Sequence, residues 1–202
     1  FVESIIEAYT YDDVLVSIPA NFQLQTVVGS ASELGGKEGW TIDEMIAYAD
    51  EYPDAQLFDY SDKDSILSLC MMFNESSFID WSTGECSFDT PEFKSLLAFV
   101  NRFPDEYQYE DGGASTPTRI QNREILMDRA YIYDFNEIQL YMEMFGGDVA
   151  CIGYPTTDGS SGTGIMAEQA YAITSKSSKK DGAWQFIEGI LTPVEDENEN
   201  TR

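Results

Sequence analysis

The chain has 202 residues, 43% of them hydrophobic, enough apolar material for a packed core and against general disorder. Eleven basic residues stand against 37 acidic ones, a formal net charge of -26, which repels phosphate backbones and anionic lipid surfaces and speaks for a soluble monomer without nucleic-acid or membrane partners. With no histidine, neither a Ser-His nor a Cys-His dyad can form, and a zinc site is disfavoured. No apolar run approaches the ~20 residues of a membrane span, and no signal-peptide pattern opens the chain. It begins at Phe1 without an initiator methionine, and is expected to be a piece of a longer protein.

Asp13 to Pro19 and Phe22 to Gly29 read as two extended, β-branched runs split by Pro19. Thr41-Ile42-Asp43-Glu44 is a capping box that opens a helix with Ile42, Met45, Ile46 and Ala49 inward, stopped by Pro53. Ala55 to Tyr60 reads as a strand, followed by a helix capped by Ser61 or Asp62 that turns Ile66, Leu67, Leu69, Cys70 and Phe73 inward. Phe78 to Phe88 has the pattern of a hairpin. Asp89-Thr90-Pro91-Glu92 opens a helix burying Phe93, Leu96, Leu97 and Val100, with proline in the first turn where its missing N–H costs little.

The polar stretch 104–115 reads as a loop, and Thr116-Pro117 starts a short helix through Asn122. Ile125 to Tyr133 is expected to be a strand. Asp134-Phe135-Asn136-Glu137 caps a helix with Ile138, Tyr141, Met142 and Phe145 inward, and Gly146-Gly147 ends it. Val149 to Tyr154 and Ala170 to Thr174 read as strands around a Gly/Ser loop at 156–164. A last helix ends near Leu191, with Trp184 and Ile187 on its inner face, and an acidic tail follows. Strands alternating with amphipathic helices imply a layered α/β domain.

Cys70, Cys86 and Cys151 show no paired metal-ligand spacing. Cys70 and Cys151 read as small buried hydrophobes, and a Cys70–Cys86 disulfide stays open in an oxidising compartment. Asp59, Asp62 and Asp64 lack the glycine and terminal glutamate of a calcium loop, so a solvated helix cap is the reading. Carboxylate pairs suited to glycoside hydrolysis are too abundant in so acidic a chain to be diagnostic.

Several segments in order carry a resemblance. Tyr171 to Lys176 followed by Ala183-Trp184-Gln185-Phe186-Ile187 is one; Gly39-Trp40-Thr41-Ile42-Asp43-Glu44-Met45 is another. Phe88 to Phe93, Arg123 to Met127, and Ile152-Gly153-Tyr154-Pro155-Thr156 complete the set. Together they resemble the second lobe of extracellular solute-binding proteins of family 1, the carbohydrate-capturing subunits of ATP-binding-cassette importers. The usual Tyr-Asn after the hinge strand is here Val28-Gly29, and the glycine before the Arg123 run is absent.

The resemblance implies an α/β, periplasmic-binding-protein-like type II lobe, a mixed sheet with helices on both faces. Residues 1–29 would form hinge strands, 30–192 the second lobe and 193–202 an acidic tail. It implies no enzyme chemistry and no cofactor. The ligand would be a carbohydrate or oligosaccharide and the partner a transporter permease. The location would be extracellular, with anchoring through a lipidated N-terminus outside this stretch. Tyr133, six residues after Met127, falls where the family often places a stacking aromatic, with Asp134 and Asn136 beside it. Asn21, Phe22, Tyr60, Asp62 and Tyr154 are the other candidate ligand residues. A lobe used only for protein contact, and an acid–base glycosidase, are the alternatives.

Overall fold

The computed structural model describes residues 2–107 and 112–192; the expected acidic tail, and part of the expected loop at 104–115, lie outside them. In chain order the elements are α1 (Glu3–Ala8), β1 (Thr10–Tyr11), β2 (Val14–Leu15), β3 (Ile18–Ser30), α2 (Ala31–Leu34), α3 (Ile42–Glu51), α4 (Lys63–Met71), α5 (Glu75–Phe78), β4 (Ile79–Asp80) and β5 (Glu85–Cys86). They continue with α6 (Pro91–Val100), α7 (Thr116–Gln121), β6 (Met127–Ile132), α8 (Phe135–Met144), β7 (Val149–Cys151), β8 (Gly164–Tyr171) and α9 (Lys180–Leu191). Among the described residues, those within 24–165 form one compact unit and those within 2–23 and 166–192 form another, the division falling inside β3 and β8.

In the larger unit, β6 and β7 both pair antiparallel with β3, in registers that set Thr26 opposite Ala130 and Gly29 opposite Ala150. Alternation along β3 and β6 then sends Val27 and Met127 to one face, and Val28, Ala130 and Ile132 to the other. The first face is covered by α3, α4 and α6 through Met45, Ile66, Leu69, Cys70, Leu96 and Phe99, all buried. The second carries α8 through Tyr141 and Phe145. Full burial of each large apolar side chain is worth ~1.5–3 kcal/mol, so this two-faced core is the main favourable term in the unit. The architecture is the expected α/β sheet with helices on both sides.

Local signals hold well. Thr41 and Glu44 form both halves of the capping box, at 3.1 and 2.8 Å. Asp134 and Glu137 do the same at α8, and Thr90 caps α6 with Pro91 in the first turn. Gly146 and Gly147 take φ of 65° and 86°, the left-handed region that ends a helix.

Several expectations are corrected. Pro19 does not split the first strands; it sits at the second residue of β3, where a missing N–H is tolerated. Ala55 to Tyr60 is no regular strand: Gln56 and Leu57 bond to Glu124, Leu126 and Met127, but only one parallel bridge results. In α6 Leu96 and Val100 are buried as expected and Phe99 joins them, while Leu97 is exposed; in α8 Ile138 and Met142 are exposed while Met144 is buried. β8 begins at Gly164, earlier than expected, and Cys151 is exposed on the short strand β7. Cys70 is buried, Cys86 exposed, and both thiols are free.

The smaller unit contains α1, the β1–β2 hairpin, the outer part of β3, the end of β8, and α9. Its strands are tied through Asn21, whose side-chain oxygen accepts the Gln169 N–H at 3.0 Å. Ile5 and Ile187 are its buried aliphatics. Trp184 was expected inward with Ile187 but is 45% exposed, because no described residue covers its flank of α9.

Candidate functional site

β6 is an edge strand of its ladder, and its free edge builds the site. Residues 128, 130 and 132 bond to β3, which leaves the amides of Met127, Arg129 and Tyr131 pointing outward. The Met127 N–H finds Leu57 O at 2.9 Å. Beyond it the neighbouring chain turns away at Phe58 and Asp59, and side chains take over. The Arg129 N–H donates to the Asp128 carboxylate at 2.9 Å, and the Tyr141 hydroxyl lies beside the Tyr131 backbone. An exposed edge is thereby closed to another strand.

The diverging backbones leave a concavity of about 500 Å³ whose lining includes Tyr60, Thr116, Asp128, Arg129, Tyr131 and Tyr141. That volume is within the ~300–1,000 Å³ of small-molecule sites. Tyr60 is 50% exposed and sits at φ 49°, a conformation disfavoured for an aromatic residue. Its ring leans on Tyr107, with centroids 4.7 Å apart. The strained backbone is pinned from below by Asp59, which is buried and paired with Arg119 at 2.7 Å. Asp59 also accepts the Thr116 hydroxyl proton, and the Tyr60 N–H at 3.2 Å.

Asp128 is the other carboxyl of the concavity. Desolvation dominates there, only partly offset by the hydrogen bond from the Arg129 N–H, and pushes it up to about 6. Burial also raises Tyr141, with the nearby Asp128 charge adding to it, to about 12.

The candidate residues fall into three groups. Tyr60 lines the concavity. Asp62 caps α4 through the Ser65 N–H at 2.8 Å; that bond holds its carboxyl below the usual range, and the Arg129 charge adds a smaller pull. Tyr133 is 52% exposed and lies one residue past the end of β6, on the side of the strand shared with Arg129 and Tyr131 by alternation. Asp134 and Asn136 are exposed beside it but are engaged in the α8 cap: the Asn136 N–H and side-chain amide both donate to Asp134, at 2.7 and 3.1 Å.

Tyr154 is not available for stacking. It is 1% exposed, its ring packs near Phe73 at 5.7 Å, and Tyr131 lies beside its hydroxyl. Burial pushes it up to about 12. Asn21 and Phe22 belong to the smaller unit, where Asn21 is engaged with Gln169 and Glu168. Arg129, Tyr131, Thr116 and Tyr107 escaped the sequence reading. The alternation Arg129, Tyr131, Tyr133 could have marked the first two once β6 was known to be an edge.

No protein-family model matches this chain, and no curated protein does. Solved structures do match. A solute-binding protein of an ABC transporter from Thermotoga lettingae TMO, bound with α-D-tagatose, is 20% identical, with a TM-score of 0.50 over 94% of this chain and 53% of its own. The sugar-binding protein MalE from Xanthomonas citri is 16% identical, with a TM-score of 0.57 over 94% of this chain and 51% of its own. The fold is periplasmic-binding-protein-like. A cyclic α-maltosyl-1,6-maltose binding protein from Arthrobacter globiformis matches at 16% identity and a TM-score of 0.50, over 95% and 52%. The chain thus spans about half the length of these solute-binding proteins.

Proposed function

We propose that this chain is the second-lobe part of an extracellular solute-binding protein that captures a carbohydrate or oligosaccharide and delivers it to the permease of an ATP-binding-cassette importer. The observation that carries this reading is the concavity at the β6 edge, with Tyr60, Tyr131 and Tyr133 presenting exposed aromatic surface at or beside it. Sugar recognition needs flat apolar faces for the C–H side of a pyranose and fixed polar groups for its hydroxyls. The open ends of α/β sheets, next to helix N-termini such as that of α8, are where such ligands collect. The matching structures are of a solute-binding protein bound with α-D-tagatose, a sugar-binding protein and a cyclic maltosyl-maltose binding protein, which supports the same reading. In it, residues 1–29 serve as hinge strands and residues 30–192 as the lobe. Ligand closes two lobes, and the closed form meets the permease. The same reading places the protein outside the cell on a lipid anchor.

The test is a nuclear magnetic resonance titration of the 202-residue chain with a panel of mono- and oligosaccharides. Millimolar binding that shifts Tyr60, Tyr131 and Tyr133 is expected, because half the contacts of a two-lobed site are missing. If no saccharide moves those signals at tens of millimolar, the reading fails.

One observation favours a glycosidase instead: Asp59 and Asp128 line the same concavity, and burial pushes Asp128 toward neutrality. Against it, both Asp59 oxygens already accept bonds, from Arg119 and Thr116. The group is buried and already engaged with the Arg119 guanidinium and the Thr116 hydroxyl. Hydrolysis of aryl glycosides that disappears in Asp128→Asn would reverse this choice.

A further inference from the structure

Acidic residues outnumber basic ones by more than three to one, so every arginine should find a carboxylate. Three of the four described arginines do: Arg102 pairs with Asp50, Arg119 with Asp59 and Glu124, and Arg123 with Glu33. Arg129 is the exception. No carboxylate among the described residues lies within 4.0 Å of its guanidinium, and it is half-buried in the lining of the concavity.

The nearby acids are held elsewhere. Asp128 turns its carboxylate back to the Arg129 backbone N–H, and Asp62 caps α4 through the Ser65 N–H. Neither can swing to the guanidinium without leaving an amide unsatisfied, at a cost of ~1–3 kcal/mol. A partly desolvated arginine with no counter-ion among the described residues presents a planar fork of donors matched to a carboxylate.

We infer that Arg129 receives a carboxylate of the ligand, and that the captured solute is an acidic saccharide: a uronic acid or an oligosaccharide containing one. The inference rests on the reading of the concavity as a saccharide site. Tyr60 and Tyr131 offer the ring-stacking surface and Thr116 a hydroxyl, while Arg129 supplies the charge that a neutral sugar does not require. The net charge of -26 acts against an anion at long range. That field is screened within about a Debye length of ~8 Å at physiological salt, whereas a contact pair in a half-buried site is screened much less. Affinity for the acidic ligand therefore changes little, or rises, between low and physiological salt, whereas an exposed ion pair alone would weaken.

The experiment titrates the chain with trigalacturonate and, separately, with maltotriose, followed by nuclear magnetic resonance, in wild type, Arg129→Gln and Arg129→Lys. Wild type is expected to bind trigalacturonate at least tenfold more tightly. Arg129→Gln should lose that advantage, the ratio of trigalacturonate to maltotriose affinity falling toward one, and Arg129→Lys should recover part of it. A native-like amide spectrum of each variant separates loss of binding from loss of fold. Equal affinity for the two glycans, or a trigalacturonate affinity indifferent to Arg129→Gln, overturns the inference and leaves the saccharide site standing. If neither glycan shifts the site tyrosines, the saccharide reading fails and the inference falls with it.

Discussion

Asp128→Asn tests the electrostatics of the β6 edge directly. In the folded chain desolvation raises the Asp128 carboxyl from 3.8 to about 6, so it titrates about two pH units above its unfolded position. Between pH 4 and 6 the folded state then binds more proton than the unfolded one, and stability falls as pH rises through that window. At about 1.4 kcal/mol per pH unit, the ionised carboxylate costs the fold roughly 2–3 kcal/mol at pH 7 and nothing below pH 4. Asparagine keeps an oxygen to accept the Arg129 N–H, now at 2.9 Å, and removes the charge. Urea unfolding is followed by fluorescence, to which the buried Trp40, bonded to Gly153 O at 2.8 Å, contributes an unfolding-sensitive signal. The variant should match wild type within ~0.5 kcal/mol near pH 4 and exceed it by about 2 kcal/mol at pH 7–8. Carboxyls held low, such as Asp148 by the Ser30 and Ser32 hydroxyls, contribute with the opposite sign, so the difference between the two proteins at each pH is the quantity to read. A difference that is flat from pH 4 to 8, or that grows toward acid, refutes a buried, proton-hungry Asp128.

Three further outcomes are expected. In the full two-lobed protein, Tyr133→Ala should weaken saccharide binding by ~1–3 kcal/mol through lost stacking and buried area, with an unchanged urea midpoint; wild-type affinity by calorimetry would remove Tyr133 from the site. Asn74→Ala should cost ~2–4 kcal/mol in urea unfolding, because the buried amide donates to Cys70 O and Pro155 O at 2.6 and 2.8 Å and accepts the Thr157 N–H at 2.7 Å; a loss below ~1 kcal/mol would contradict that role. Gly162→Ala should cost ~3 kcal/mol or more or prevent folding, since a methyl there would overlap the Tyr154 carbonyl backbone, and a variant with native stability would show that the two segments do not approach so closely.

The parts of this protein legible in one dimension are those decided within a few residues. A Thr41 hydroxyl reaches an amide three positions on whatever else the chain does, and the same holds for Asp134 at α8 and Thr90 at α6. The positive φ at Gly146 and Gly147 is likewise a local property, as is the order of strands and helices. What failed was decided at a distance. Leu97, Ile138 and Trp184 have the right residue type for an inner face, but which side of a helix is inner depends on the surface it meets. Tyr154 looked like a ligand residue at a strand end, and only the approach of Phe73 and Tyr131 buries it. Arg129 and Tyr131 carry no motif. They matter because β6 is an edge whose neighbour turns away at Asp59, so that the side chains beside the free amides stand in a concavity instead of a ladder. Local hydrogen bonding is written residue by residue, but exposure is a property of what the rest of the chain leaves uncovered.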